Sequence, residues 1–361
     1  MKKISLFLAF ALILGLFAGC AGTPVVYYTD CTCPVGSHEP VVEATEAPEV
    51  TEAPVLAEGA VKTGLYIGVN LGGSQSAGEE DGKADYDVTI VAVNVDDNGV
   101  ITSCVIDSIG TSVSFDAAGV ITSDLAAQIQ TKNELGEAYG MKLYAGAAYE
   151  WNEQAAALAQ YAVGKTVEEL RNGAVDESGH AVDADLATTA TIYLGGYVAG
   201  IEEAVKNARH LGAQAGDELR LAVIPGVGSS KSAEGENAGL AQLDVDAVAL
   251  NMSSGVITAC LIDSAQAKVN FDAAGVITTD LTAPVLTKNA LGENYGMVAW
   301  GGAIAEWNEQ AAAFAAYVTG KTPAEVAGIA VSEGKAADAD LAASVTIAIG
   351  GFQALIQKAA Q

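Results

Sequence analysis

Basic residues are scarce in this chain, and their scarcity excludes one large class of function. The sequence contains 17 Lys and Arg against 45 Asp and Glu, so its formal net charge is -28 at pH 7. A nucleic-acid-binding protein needs a basic surface that displaces counterions from phosphates. The sequence has no such basic stripe, so we exclude nucleic acid as a partner. The same charge opposes unaided capture of anionic ligands and favours solubility at a cell surface.

Histidine and cysteine are also rare, which limits metal and nucleophile chemistry. The three histidines lie in unrelated sequence contexts and predict neither a metal site nor a nucleophile–base pair: His38, His180 and His210. Cys104 and Cys260 alternate with Val and Ile on predicted strands, which favours buried thiols that pack as small apolar groups. Cys31 and Cys33 are too close for a comfortable disulfide and too few to indicate a metal site, so they stay unassigned.

The N-terminus carries an apolar run that is too short to span a membrane. Lys2 and Lys3 precede an almost wholly apolar stretch, residues 4–17, which is followed at once by Ala18-Gly19-Cys20. We interpret residues 1–19 as a signal peptide. The small-small-Cys ending resembles a bacterial lipoprotein processing site, which implies lipid on Cys20 and a cell-membrane, extracytoplasmic location. The alternative is an ordinary signal peptide whose cysteine is incidental.

Residues 20–60 are predicted to combine the lipid anchor with an acidic stalk. Between Pro34 and Glu58 the sequence has four prolines, six glutamates and no Lys or Arg. Such a stretch cannot bury enough apolar surface to offset its ordering entropy, and proline with like charge keeps it extended. We therefore expect a disordered stalk.

The rest of the chain is one module written twice, over residues 61–210 (repeat 1) and 217–361 (repeat 2). Cys104 and Cys260, like Glu150 and Glu306, are separated by 156 positions. Each repeat has the length of one ordinary domain, and the repetition predicts two separate cores.

Each repeat is predicted to be α+β, an antiparallel sheet covered by helices on one face. In repeat 1, apolar alternation on both sides of the turn 96–99 predicts one hairpin, and residues 113–122 predict a second. Helical spacing of Trp151, Ala155, Leu158 and Ala162 follows, and then the capping box Thr166-Val-Glu-Glu. Repeat 2 has the same signals, including Thr322-Pro323-Ala-Glu.

Two further features recur and admit two interpretations each. Trp151 and Trp307 are either core residues or surfaces on which a ring stacks. Residues 132–141 and 288–297 share the pattern Lys-Asn-x-Leu-Gly-Glu-x-Tyr-Gly-Met. These segments are either ordered structural loops or ligand loops in which Tyr139 or Tyr295 contacts a ligand.

The end of each repeat suggests a specific chemistry. Repeat 1 ends with Asp183-Ala-Asp-Leu-Ala-Thr-Thr-Ala-Thr-Ile192, and repeat 2 with Asp338-Ala-Asp-Leu-Ala-Ala-Ser-Val-Thr-Ile347. This layout resembles the FMN-binding domain of bacterial extracytoplasmic electron-transfer proteins, whose closing segment is Asp-x-x-Ser/Thr-Gly-Ala-Thr. Repeat 1 matches at four positions, with Thr189 in place of the glycine: Asp185, Thr188, Ala190 and Thr191. Repeat 2 matches only at Asp340 and Thr346.

The resemblance implies that FMN is bound, with covalent attachment to Thr191 through a phosphoester made by a flavin transferase. It implies a lipid-anchored electron carrier with redox partners, rather than a catalyst with its own substrate. A phosphate near a helix N-terminus would be stabilised by backbone N–H groups. The alternative is a non-redox surface binding or adhesion lipoprotein, in which Asp185 and Asp340 are N-caps and Thr191 and Thr346 are ordinary first-turn residues.

Overall fold

The computed structural model describes residues 59–361, so the predictions for the signal peptide, for Cys20 and for the stalk lie outside the described residues. The described part is α+β, as predicted, with antiparallel sheets. Its strands are β1 (Ala60–Asn70), β2 (Gly82–Val95), β3 (Ile101–Phe115), β4 (Arg209–Gln214), β5 (Glu218–Gly226), β6 (Gly239–Ser253), β7 (Val256–Phe271), β8 (Val331–Ser332) and β9 (Lys335–Ala336).

Helices follow the strands in both halves of the chain. They are α1 (Lys132–Leu135), α2 (Met141–Ala145), α3 (Trp151–Ala162), α4 (Val167–Gly173), α5 (Ala184–Thr189), α6 (Gly195–Lys206), α7 (Lys288–Leu291), α8 (Met297–Gly301), α9 (Trp307–Val318), α10 (Pro323–Ala327), α11 (Ala339–Ala342) and α12 (Gly350–Ala359). Among residues 59–361, none of these helices combines the length and the apolar character needed to cross a membrane.

Two main sheets form from the predicted hairpins. One has the order β3-β2-β1-β4 and the other β5-β6-β7, and a two-residue ladder joins β8 to β9. The first predicted hairpin of each repeat is confirmed as β2–β3 and β6–β7. The second is reduced to single bridges, Phe115 with Ile121 and Phe271 with Ile277, since only one residue after each turn pairs back with β3 or β7.

The predicted helices also form at their expected positions. Trp151, Ala155, Leu158 and Ala162 are all buried along α3, as their spacing predicts. The side chain of Thr166 accepts the backbone N–H of Glu169, and the Glu169 carboxylate accepts the N–H of Thr166, which starts α4. Repeat 2 starts α10 in the same way.

The helices cover one face of each sheet, and the two sheets cover each other. In repeat 1, α3 and α6 bury one apolar cluster against β2 and β3; in repeat 2, α9 and α12 bury another against β6 and β7. A third cluster draws residues from both sheets, among them Ile67, Tyr86, Leu243 and Phe271. The layers are therefore helices, sheet, sheet, helices. Besides the two predicted cores, one in each repeat, the structure therefore has a third core that both repeats share. All described residues belong to a single compact unit.

Reciprocal contacts relate the two repeats like the halves of a two-fold dimer. The rings of Phe115 and Phe271 stack with centroids 4.0 Å apart and planes within 4° of parallel. The Ala77 N–H donates to the Gly275 carbonyl at 2.8 Å, and the equivalent Ala233 N–H donates to Gly119 at 2.8 Å. Equivalent residues thus exchange equivalent bonds, the pattern of an isologous interface.

A buried polar group also bridges the sheets. The side-chain amide of Asn94 donates to Asn251 Oδ1 at 2.6 Å, and Asn251 Nδ2 donates to Thr63 Oγ1 at 2.8 Å. Thr63 Oγ1 donates in turn to Asn94 Oδ1 at 3.1 Å. The three residues are almost fully buried, so these bonds satisfy groups that would be costly to leave unpaired.

Candidate functional site

The predicted acidic residues Asp185 and Asp340 lie in the first turn of short helices rather than at their caps. The N-cap of α5 is Asp183, whose carboxylate accepts the N–H groups of Asp185 and Leu186 at 3.0 Å. Asp338 does the same for α11. The prediction that Asp185 and Asp340 are N-caps is therefore wrong, because each carboxylate lies two positions after the residue that accepts the free N–H groups.

The remaining residues of the motif in repeat 1 surround the end of α5. The Thr188 hydroxyl donates to the Asp185 carbonyl at 2.7 Å, so it is used within the helix. Ala190 is buried and ends the helix, and Thr191 is exposed immediately after it. Three residues that belong to no helix separate Thr191 from α6 (residues 192–194) and Thr346 from α12 (residues 347–349). Neither threonine lies in the first turn of a helix, which corrects that expectation.

A buried glutamine holds each predicted threonine. Gln154 on α3 is fully buried, and its Oε1 accepts the N–H and the hydroxyl of Thr191 at 2.8 and 3.2 Å and the N–H of Ile192 at 3.1 Å. In repeat 2, Gln310 accepts the equivalent three donors from Thr346 and Ile347 at 2.8, 3.2 and 3.2 Å. The backbone donors that a phosphate would use at these threonines are therefore already paired.

A cleft of about 600 Å³ opens beside this segment in repeat 1. Volumes of this order suit a small molecule or a cofactor. Its walls come from β1 and β2, from the 132–141 segment and from the approach to α6. Five aromatic side chains contribute to them: Tyr66, Tyr139, Trp151, Tyr193 and Tyr197. Ile192 also lines the cleft, so the chain after Thr191 forms one wall.

A buried lysine lies among these rings. Lys132 is 9% exposed, and its Nζ lies 5.2 Å from the Trp151 ring centroid and 5.5 Å from that of Tyr139. Its closest carboxylate partner is Asp87, at a long 3.9 Å. The charge of Lys132 is therefore stabilised both by the faces of these rings and by the Asp87 carboxylate. Lys132 lines the cleft together with Asp87, and its ammonium group offers a positive charge to an anionic or electron-rich ligand.

Two further features organise the cleft. The Trp151 indole N–H donates to the Tyr197 hydroxyl at 3.1 Å, and the two rings meet edge to face, which fixes both walls. Helix α6 begins at Gly195 with no side-chain cap from Leu194, and Gly196 lines the cleft. The positive end of the α6 dipole therefore lies at this wall.

Repeat 2 keeps the lysine but changes its surroundings. Lys288 Nζ lies 4.8 Å from the Trp307 ring and 5.3 Å from the Tyr295 ring. Burial lowers the pKa of Lys288, while Asp246, Asp244 and Asp263 act in the opposite direction. Asp246 stands where repeat 1 has Thr89, so this lysine faces more negative charge.

The aromatic walls of repeat 1 are also reduced in repeat 2. Ala222, Ala348 and Phe352 replace three tyrosines of repeat 1, which are Tyr66, Tyr193 and Tyr197. Phe352 still meets Trp307 edge to face, with ring centroids 5.8 Å apart, but it has no hydroxyl to accept an indole N–H. The edge contact is therefore kept while the hydrogen bond between these walls is lost.

The sequence motif points to Thr191 and Thr346, whereas the residues that line the cleft carry weaker sequence signals. Lys132 and Tyr139 belong to the repeated segment 132–141, whose recurrence was the available signal. Trp151 is both buried core and cleft wall, so its two interpretations are compatible. Tyr193 and Tyr197 gave no such signal, because repeat 2 does not keep them.

The cysteines and the possible metal ligands lie apart from this chemistry. Cys104 is half-buried and Cys260 buried, and burial raises the pKa of both thiols to about 12, which keeps them protonated. Within residues 59–361, no three or more His, Cys, Asp or Glu side chains cluster as metal ligands would. No protein-family model, curated protein or solved structure matches this chain.

Proposed function

We propose that repeat 1 binds FMN in its aromatic cleft and that the protein is a lipid-anchored extracytoplasmic electron carrier. The single observation that carries this proposal is the buried Lys132 among the rings of a cleft of about 600 Å³. In this proposal the repeats are two FMN-binding-like modules after a stalk, and only the first retains a complete site.

The residues of the cleft fit the chemistry of a flavin. Rings such as Tyr193 and Trp151 offer faces and edges to a planar aromatic group. Lys132 offers a positive charge to an electron-rich ring, and the N-terminal end of α6 adds a favourable dipole. When bound, FMN would supply one- and two-electron redox chemistry, while these side chains hold the ring and limit its contact with water.

Thr191 is the proposed attachment point for the FMN phosphate. It is exposed, and the two residues after it, Ile192 and Tyr193, line the cleft. Its hydroxyl makes one of the three bonds to Gln154, so a phosphoester there would leave the two backbone bonds in place. A covalent link would also overcome the weak capture of an anion by a chain of net charge -28.

Co-expression with a flavin transferase tests this proposal. The purified protein should be yellow, with absorbance near 450 nm, and its intact mass should show one added FMN unit. We expect Thr191→Ala to abolish the added mass and the matched Thr346→Ala to preserve it. Lys132→Gln should change the flavin absorbance or reduction potential, whereas Lys288→Gln should not. A colourless protein of unmodified mass would contradict the proposal.

The lipid anchor has its own test, which does not depend on the flavin. We expect the wild-type protein to partition with membranes in a bacterial host and Cys20→Ala to be released into the soluble fraction. Equal solubility of the two forms would exclude lipid on Cys20, whatever the repeats bind.

A second candidate is a non-redox surface binding or adhesion lipoprotein that keeps the fold without its cofactor. The glutamine contacts favour it, because Gln310 holds Thr346 in repeat 2 as Gln154 holds Thr191, although repeat 2 has few matches to the flavin motif. A purely structural role for the threonine segment would explain why both repeats keep the contact with glutamine. The yellow colour and the added mass distinguish the two candidates.

A further inference from the structure

Both repeats expose apolar side chains at one equivalent place. We name residues 141–149 and 297–305 the knuckles; they contain α2 and α8 and the turns that follow. Tyr144 is 83% exposed and Trp300, its equivalent, 88%. Leu143 is 75% exposed beside Tyr144, and Ile304 is 60% exposed near Trp300. Aromatic residues exposed to this degree at equivalent positions are unusual, and exposed apolar patches mark interaction surfaces.

The knuckles are held in place rather than loosely extended. Glu150, which is buried, accepts the N–H groups of Met141 and Lys142 at 2.8 and 3.1 Å. Glu306 accepts the equivalent N–H groups of Met297 and Val298 at 2.8 and 3.0 Å. Fixed carboxylates at the start of α2 and α8 therefore define where the exposed side chains lie, so binding would cost little ordering entropy.

Glycines support the exposed rings. Gly140 and Gly296 precede the two helices with φ of 81° and 82°, a region that favours glycine. A Cβ at Gly296 would lie 3.4 Å from two carbon atoms of the Trp300 ring, so the ring packs over this glycine. One side of the indole is thus supported by backbone, while most of the side chain stays exposed.

The charge around the knuckles indicates what kind of partner they fit. Lys142 is the only charged residue within either knuckle, and it pairs with Glu153 at 2.6 Å. Val298 replaces Lys142 in repeat 2, so Glu309, the equivalent of Glu153, has no lysine at that position. Glu153, Glu150 and Glu137 all lie close enough to Lys142 to act on its charge, and the whole chain carries a net charge of -28. The complement of such a surface is an apolar patch ringed by Lys and Arg. An anionic lipid surface would be repelled by the same charge.

We propose that the two knuckles are docking points for a partner protein whose basic surface surrounds an exposed apolar patch. In this arrangement each knuckle forms its own contact, in which Tyr144 or Trp300 inserts into an apolar depression of a partner molecule and the acidic surroundings attract the basic rim of that partner. Buried aromatic anchors with a charged rim are typical of binding hot spots. The proposal concerns the protein surface alone and does not require that flavin be present.

Cytochrome c, a small basic haem protein with an exposed apolar haem edge, serves as the probe. Its binding to residues 20–361 is measured by calorimetry at low and at physiological salt, with Cys20 replaced by Ser so that no lipid is attached. We expect binding that weakens as salt rises. The double variant Tyr144→Ser/Trp300→Ser should bind at least tenfold more weakly, since aromatic anchors dominate such interfaces.

The control is Val182→Ser/Val331→Ser, which removes two other exposed apolar side chains, 52% and 44% exposed, from elsewhere on the two repeats. It should bind within about twofold of the parent, and thermal melting should show that both double variants stay folded. The proposal is overturned if cytochrome c does not bind, or if the control variant binds as weakly as the knuckle variant. It is also overturned if binding depends on salt but is the same for the parent and the knuckle variant. Binding of the parent to anionic vesicles that the knuckle variant loses would instead assign these residues to a membrane.

Discussion

The two repeats share their internal packing and differ in the walls of the cleft. Lys132 and Lys288 lie over equivalent rings, but the first faces Thr89 on β2 and the second faces Asp246 at the same place on β6. Three tyrosines of the first are replaced by alanine or phenylalanine in the second. The fold therefore tolerates changes in the cleft walls, provided the buried contacts are kept.

What the repeats keep is the set of residues that join them. Phe115 and Phe271 stack across the central core, and Asn94 bonds to Asn251 between the sheets. Neither repeat buries the inner face of its sheet without the other. The comparison thus separates a conserved internal arrangement, which both repeats need, from a site that one repeat can change alone.

We expect the largest effect on stability from removing one of the two phenylalanine rings that stack in the shared core. Phe115→Ala and Phe271→Ala each delete a fully buried side chain, and we expect a loss of about 3–5 kcal/mol in the free energy of unfolding. Denaturant titration followed by tryptophan fluorescence measures it, with Trp151 as the probe in repeat 1 and Trp300 and Trp307 as the probes in repeat 2. Because the core is shared, both variants should unfold in one transition that involves both repeats.

Two separate transitions, with only the mutated repeat destabilised, would show that the repeats are independent domains. Val120→Ala, at a side chain 46% exposed in the turn beside Phe115, is the matched control and should change stability by less than about 0.5 kcal/mol.

The glutamine contacts should matter equally in both repeats. Gln154→Leu and Gln310→Leu each leave three donors without their buried acceptor, and we expect a loss of about 2–3 kcal/mol per variant in the free energy of unfolding. Gln160→Leu, at an exposed position on the same helix as Gln154, controls for the substitution. A cost confined to repeat 1 would indicate that Gln154 serves a ligand site rather than a common fold.

Transferring the carboxylate of repeat 2 to repeat 1 tests the electrostatic difference. Thr89→Asp places a second acid near Lys132, so non-covalent FMN binding, measured by fluorescence quenching, should weaken about tenfold. Asp246→Thr should leave binding unchanged, because repeat 2 still lacks the three tyrosines. If Thr89→Asp binds FMN as the wild type does, charge at this position does not distinguish the repeats.

The smallest predicted effect is a pH dependence common to both repeats. Burial raises the pKa of Asp107 and of Asp263, while bonds from Ser108 and Asn133, or from Ser264 and Asn289, act in the opposite direction. A raised pKa means that the folded state binds more protons than the unfolded state between the ordinary pKa of about 3.9 and the raised value. Protonation of these carboxyls therefore stabilises the folded state as the pH falls through that range. Above that range, the buried ionised carboxylates destabilise the folded state.

We expect Asp107→Asn and Asp263→Asn to reduce the gain in melting temperature between pH 7 and pH 4.5. Asp280→Asn is the control, since Thr282 lowers the pKa of that exposed carboxyl and its titration lies below this range. Unchanged pH profiles in the first two variants would show that their hydrogen bonds outweigh burial.

The sequence predicted local structure well where the signal is local. Turn residues 96–99 between alternating apolar runs predicted the β2–β3 hairpin correctly. The capping boxes at Thr166 and Thr322 predicted the starts of α4 and α10 correctly. It misplaced the N-cap by two residues, because Asp183 and Asp185 are equally acidic and only backbone geometry decides which carboxylate accepts the free N–H groups.

The sequence by itself determined the repeat, the charge, the α+β class and the positions of most helices and strands, because these follow from periodicity and local hydrogen bonding. Only the tertiary structure decided that the two sheets share a core, since the alternation that buries a face does not say what covers it. It also decided that Lys132 joins Tyr193 and Tyr197 in one cleft. Residues more than 60 positions apart meet there through packing, and no local pattern encodes that contact.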